Sequence, residues 1–308
     1  MRAVSAPLLA AQSARFAELD PLLPAAVAPP EGEGLVVALP GGDRVAGVVT
    51  RTEHPRGAAP TLWAASEVWE LHPLLGGAPG SAMDVLLRRW AGAMARVAVE
   101  QDSSCLVTWP SRDVAASAAL LAHGFAPLSV LAVRVPAARG PSRRHPVSVR
   151  RAGFEDLEFL TRSAMAELEY SAQVGSAVVR PAAPRIKWAS LSVHLAQGDP
   201  VWIAERGGEP VGHLEGWQTV SAPASWAETR VPHGRWGYVN CLSVLPGSRG
   251  SGVGGALVDT AHDELLNGAV GSFLYFNPPN PLSPVFWARR GYRPLWTLWE
   301  LRPASALR

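Results

Sequence analysis

Lysine is all but missing from this chain. Among its 308 residues, 28 are Lys or Arg, and Lys187 is the single lysine. An NTP-binding P-loop ends in Gly-Lys-Ser/Thr because the lysine reaches the terminal phosphates, so that loop is excluded. Cysteine is nearly as scarce. Cys105 and Cys241 lie 136 residues apart and match neither a zinc spacing nor a disulfide framework; they read as buried thiols in a reduced compartment. Net charge is small, +2, which argues against nucleic acid as the main partner. No run approaches the roughly 18 apolar residues of a membrane span. The opening "MRAVSAPLLAAQSARF" lacks the long apolar centre of a signal peptide. A soluble, cytoplasmic protein is the expectation, and its oligomeric state is not legible. With 48% hydrophobic and 18% charged residues, there is ample material for a core.

The chain reads as one plan written twice. Residues 136–147, "PAARGPSRRHPV", combine proline and arginine without periodicity. They divide the chain into a unit at 1–136, a linker at 137–147 and a unit at 148–308. In the second unit a strand is followed by a helix on which Phe154, Leu157, Leu160, Ala164 and Leu168 recur at helical spacing. A hairpin around "RGGE", the strand "WGYVNCLSVLP" and a helix from about Gly252 to Leu266 come next. The strand "SFLYFN", the short helix "SPVFWARRG" and the strand "LWTLWELR" complete it. The first unit shows a hairpin around "GGD", a helix, the strand "CLVTW", a short helix and the strand "LSVLAVRV". Gly47 and Gly212 stand 165 apart, and Gly124 and Gly291 stand 167 apart, offsets close enough to argue for duplication.

Between strand and helix lies "LSVLPGSRGSGVGGAL", residues 242–257. Gly250, Gly252 and Gly255 satisfy the dinucleotide pattern G-x-G-x-x-G, but that motif needs an acid ending the next strand. Here the next strand ends at Asn277, and too little chain follows for a doubly wound sheet. A plain tight turn stays open as the bland alternative. An anion cradle uses every part: glycines admit backbone close to phosphates, amides at a helix start point outward, and Arg249 adds a charge-assisted contact.

The stretch "VLPGSRGSGVGGAL" resembles motif A of the GCN5-related N-acetyltransferases, the GNAT superfamily. "NPLSPVFWARRGY" is similar to that family's motif B through Asn280, Ser283, Phe286, Trp287, Gly291 and Tyr292. The resemblance covers about residues 148 to 302. It implies an α/β fold of two tandem GNAT-type domains, each a mixed, mostly antiparallel twisted sheet flanked by helices. It implies acetyl-CoA as the acyl donor and a small-molecule or peptide amine as acceptor, joined by direct attack on the thioester. Cofactor contacts carry over to Leu242, Ser243, Val244, Arg249, Gly250, Ser251, Gly252, Val253, Gly254, Gly255, Asn280 and Phe286. The 242–244 backbone would supply the oxyanion donor. The first unit has "HPLLGGAPGSAMDVL" where motif A belongs, with no arginine in register, and reads as a degenerate copy.

Two departures stand out. Trp287 occupies the usual position of the tyrosine acid, which leaves Ser283 or Tyr292 to protonate the thiolate, or the thiolate to depart unassisted as a good leaving group. The central strand offers no carboxylate, so Glu215 is the expected base, with Tyr238 or His213 relaying through water. His194 and His233 read as surface residues. Trp188, Trp217, Trp226 and Trp236 form either an aromatic acceptor pocket or packing. Six arginines from Arg134 to Arg151 read as a solvated linker with the coenzyme's 3′-phosphate as a second use. The alternative to an enzyme is a non-catalytic acyl-CoA-binding or sensing protein.

Overall fold

The computed structural model describes residues 2–78, 81–136 and 145–308. Most of the expected linker, with Arg139, Arg143 and Arg144, lies outside them. The first half runs α1 (Arg2–Leu19), β1 (Glu33–Ala38), β2 (Arg44–Glu53), β3 (Glu67–Leu74), α2 (Ser81–Met94), β4 (Ser103–Pro110), α3 (Val114–Ala122) and β5 (Ala126–Arg134). The second half opens with β6 (Ser148–Arg151), α4 (Leu157–Gln173), α5 (Ala183–Gln197), β7 (Val201–Arg206), β8 (Glu209–Ser221) and β9 (Gly234–Val244). It ends with α6 (Val253–Leu265), β10 (Gly271–Phe276), α7 (Ser283–Arg289) and β11 (Arg293–Leu301). No helix among the described residues is long and apolar enough to cross a membrane.

The eleven strands form one sheet in the order β1-β2-β3-β4-β11-β5-β10-β9-β8-β7-β6. Exchanging β1–β5 for β7–β11 reverses this order onto itself, apart from β6, as two copies of one plan related by a pseudo-two-fold axis would. The axis passes through the antiparallel pair β5·β11. Each half has given its last strand to the other: β11 sits between β4 and β5, and β5 between β11 and β10. Among the described residues only β3·β4 and β9·β10 pair in parallel. Gly124 and Gly291, which follow α3 and α7, both have left-handed backbone, at φ +82° and +83°.

Because of the exchange, the largest core belongs to both halves. Phe16, Trp90, Trp109 and Phe125 pack in one cluster with Trp236, Phe273, Trp296 and Trp299. The seam in the chain is therefore not a seam in the sheet. Helix α4 buries Leu157, Leu160, Ala164 and Leu168 as its spacing dictates, but Phe154 lies in a preceding turn and is 58% exposed. Neither α1 nor β3 follows from simple patterning. Glu67 on β3 is buried against Arg51, which breaks the polar/apolar alternation that marks a strand.

Candidate functional site

The site begins where two parallel strands part. β9 and β10 pair from Trp236/Gly271 to Val239/Leu274 and no further, although both strands continue. At that point β9 carries a bulge: Glu215 of β8 faces Cys241 and Gly216 faces Val239, leaving Asn240 without a partner. Leu245 N donates to Val211 O at 3.0 Å, which sets the alternation of the ladder beyond the bulge. Ser243 and Leu245 bond toward β8, so Leu242 and Val244 direct their backbone amides into the gap beside β10. A cavity of about 1040 Å³ opens there, its wall including residues 239–244 and 274–277.

The glycine loop closes one end of this cavity. Gly250 and Gly252 take φ of +74° and +89°, a conformation that side chains with Cβ rarely adopt, and this turns the chain into α6. The first-turn amides of α6 have no partner within the helix and lie where the dipole is positive. A Cβ at Gly254 would touch the Phe286 ring at 3.4 Å, so a larger residue would close the cradle. Arg249 Nε donates to Val244 O at 3.0 Å, and its guanidinium lies 4.7 Å from the Tyr170 ring centroid. Among the described residues no carboxylate is within 4.0 Å of it, so its charge is available to an anion. Asn280 Oδ1 accepts from the Leu282 and Ser283 amides, leaving its amide nitrogen for a ligand.

Of the expected cofactor residues, Leu242, Ser243, Val244, Arg249, Gly250, Gly252, Val253, Gly254, Gly255, Asn280 and Phe286 all line the cavity. Ser251 does not; its hydroxyl donates to Ser248 O and accepts from Arg206. Tyr238 and Ser283 line the cavity, whereas Glu215 and Tyr292 do not. Tyr292 is buried between His262 Nε2 and Ser272 Oγ, each 2.8 Å from its hydroxyl, which places it in the packing under α6. Trp287 is buried beside Phe286 and Tyr292. His194, expected at the surface, instead lines the cavity, with Nδ1 bonded to Asp199 and its ring stacked on Trp217. Of the four tryptophans, Trp217 lines the cavity, Trp236 is core, and Trp188 and Trp226 are exposed.

Glu215 lies beneath the cavity floor, 4% exposed, with Asn240 between it and the cavity. Its carboxylate accepts from Asn240 at 3.2 Å and meets His213 Nε2 at 3.2 Å, while His213 Nδ1 pairs with Ser163 at 2.9 Å. Burial alone would raise its pKa; the His213 hydrogen bond and charge, Lys187 and Asn240 outweigh that and hold it below the ordinary value. Burial pushes the Tyr238 hydroxyl and the Cys241 thiol upward, so both stay protonated near neutrality. His213, Glu215 and Cys241 bring ligand atoms within 4.8 Å of one another. His213 and Glu215 are already joined by hydrogen bonds, which accounts for their burial.

Beneath α6, burial together with Arg134 and Arg290 lowers His262 to about 3. Nδ1 pairs with Arg134 Nη1 at 3.3 Å, so Nε2 carries the proton toward Tyr292. Between pH 6.5 and 3 the unfolded chain binds a proton at this residue that the folded chain refuses. Stability is then lost on acidification, at up to about 1.4 kcal/mol per pH unit from this residue. Urea unfolding at pH 7, 6 and 5 should show a shallower decline for His262→Gln than for the wild type; equal declines would acquit His262.

The sequence reading missed Glu167 and Lys187. Both line the cavity, and Glu167 is its only carboxylate among the described residues. Several acids crowd α4, and only the packing of Leu160, Ala164 and Leu168 decides which one faces inward. It also missed the first half's share: Leu62 and Trp63, and Leu128 and Ser129 of β5, line the same cavity. The corresponding gap in the first half, beyond the β3·β4 pairing, is covered by α1. Gln12 Nε2 donates to Pro73 O at 3.1 Å, Leu75 N donates to Gln12 Oε1 at 2.8 Å, and Phe16 packs edge-on against Trp109.

The sequence pattern of the acetyltransferase (GNAT) family matches residues 163–292, which span both the bulged strand and the glycine loop. No curated protein matches the chain. Among solved structures, a GCN5-related N-acetyltransferase from Sphaerobacter thermophilus superposes with a TM-score of 0.53 at 15% identity, over 88% of this chain and 82% of that one. An acetyltransferase from the GNAT family of Colwellia psychrerythraea gives 0.52 at 11% identity, over 95% of this chain and 96% of that one. At these identities the likeness speaks for the fold, and it extends across both halves. Residues 163–292 thus resemble the acetyltransferase (GNAT) family in sequence, and the chain resembles these two structures in fold.

Proposed function

We propose that the chain is an acetyl-CoA-dependent N-acyltransferase that acts on a small-molecule or peptide amine in the cavity between β9 and β10. The family supports acyl transfer. The observation that carries the assignment of the site is the gap itself: two parallel strands part at the Asn240 bulge and lead to a glycine loop at a helix start. The loop amides and Arg249 suit a pyrophosphate. Asn280 and Phe286 flank the path of the pantetheine arm. A gap-side amide at Leu242 or Val244 is placed to receive negative charge as the thioester carbonyl becomes tetrahedral. Two buried free thiols fit a reducing compartment, and a cytoplasmic location is part of the proposal.

Acetyl-CoA supplies the activated carbonyl. Glu167 accepts the proton that the incoming ammonium must lose, being the carboxylate that reaches the cavity, while Glu215 braces the floor through Asn240. Tyr238, held protonated by burial, is a proton donor and not a base; with Ser283 it is available to the departing thiolate. A non-catalytic binder would need the cradle and no base, so Glu167 in the cavity favours the enzyme.

Calorimetric titration of acetyl-CoA should give one site in the wild type. Affinity should fall about 10- to 100-fold in Arg249→Ala, the range of a lost hydrogen bond to a charged group. Circular dichroism would check that the variant is folded. Absence of binding to the wild type would end the proposal, and two equal sites would show that α1 does not close the first half.

A further inference from the structure

We propose that the acyl acceptor carries a carboxylate as well as its amine, and that Lys187 binds that carboxylate inside the cavity. The inference rests on the acyltransferase reading above and names the substrate class for the same site.

A chain that uses arginine for every other basic residue places its one lysine in the cavity wall. The ammonium sits 4.8 Å from the ring centroid of Trp63, a residue of the first half. Among the described residues no carboxylate lies within 4.0 Å of it, whereas Arg15, Arg51, Arg150, Arg180 and Arg293 are all in ion pairs. Its charge is felt in the cavity floor, where it favours the carboxylate of Glu215 and the thiolate of Cys241. Glu167 is the counterpart. Its only side-chain partner is Ser171, which donates to it at 2.6 Å, and no basic group among the described residues is within 4.0 Å. Lys187 and Glu167 thus present opposite charges that do not neutralise each other near the aromatic walls of Trp63, Trp217 and Tyr238, while the cavity's other cations, Arg249, Arg289 and Arg290, belong to the glycine loop and to α7 and the residue after it.

A ligand bearing both signs satisfies both groups. Its ammonium meets Glu167 and its carboxylate meets Lys187. His194, the neighbouring titratable group, is tied to Asp199. Lys187 offers a single point charge beside Trp63, which suits a carboxylate, while the arginines of the cavity lie at the glycine loop and at the end of α7. In the transfer, the amine nitrogen bonds to the thioester carbonyl carbon and the C–S bond breaks. The ammonium gives one proton to Glu167 before the attack, and the second nitrogen proton, lost as the tetrahedral intermediate collapses, balances the one the thiolate takes up.

The test is thiol release from acetyl-CoA with the proteinogenic amino acids, β-alanine and γ-aminobutyrate, each beside its carboxamide. Wild type should prefer at least one free acid over its amide by about ten-fold or more in kcat/KM. Lys187→Gln should lose that preference, mainly through KM, with acetyl-CoA affinity unchanged by calorimetry; Lys187→Arg should keep part of it. The proposal is overturned if no free acid is acetylated although acetyl-CoA binds, if amides serve equally well, or if the preference survives Lys187→Gln. It is also overturned if Lys187→Gln weakens acetyl-CoA binding, which would assign the lysine to the coenzyme's phosphates. Mass spectrometry showing acetyl transfer onto Lys187 itself would overturn it too. If acetyl-CoA does not bind the wild type, the acyltransferase reading has failed first and this one falls with it.

Discussion

With glutamine in place of Glu167, acetyl transfer slows by about 10²- to 10⁴-fold, the range contributed by a general base, while acetyl-CoA still binds as in the wild type. The substitution keeps size and hydrogen bonding, including the bond from Ser171, and removes only the capacity to take a proton. The deficit should narrow as the pH approaches the acceptor amine's own pKa, because the amine then arrives neutral. Steady-state rates from pH 6.5 to 10 for wild type, Glu167→Gln and Glu215→Gln would decide the matter. A larger loss in Glu215→Gln, with Glu167→Gln near wild type, would return the base to the cavity floor, with Asn240 as its link to the acceptor.

Glu215→Leu should destabilise the fold by about 1–3 kcal/mol, the cost of leaving a buried hydrogen-bonding partner unsatisfied. The His213 side chain is fully buried and that of Glu215 nearly so. Removing both, as His213→Leu with Glu215→Leu, should cost less than the sum of the single changes, because the bond between the two is lost only once, although Ser163 and Asn240 still lose a partner. The pH dependence has a definite sign. A carboxyl whose folded pKa is depressed stabilises the protein above its ordinary value of about 4.5, and that share is lost as the pH falls through the lower folded value. Urea denaturation of the three variants at pH 7 and pH 4 would show it; a full additive loss in the double variant would mean that the two residues act independently.

The repeat, the glycine loop and most helices and strands were legible because they rest on local spacing. The end of the cavity proposed for the pyrophosphate was legible for the same reason: Arg249 through Gly255 and Asn280 through Phe286 are short, contiguous runs. Choosing the base was not. Glu215 looked suitable on a strand beside the central one, but the bulge at Asn240 and the burial under α4 carried it out of the cavity. Tyr292 followed motif B in position, yet its hydroxyl is occupied by His262 and Ser272. Trp63, which faces Lys187, comes from the half that lacks the arginine of the loop, and no local pattern links two residues so far apart.

Composition and local pattern by themselves set out the proposed anion cradle: a loop whose glycines and single arginine suit a phosphate, at the start of a helix. These properties depend on neighbours in sequence, where backbone conformation and helix dipole are set. Only the tertiary structure decided that the two halves exchange their last strands, that α1 covers the first half's gap, and that Glu167 and Lys187 face one cavity. Strand order and side-chain exposure depend on contacts between residues far apart in the chain, and alternation along a strand or helix is the same whichever partner finally covers it.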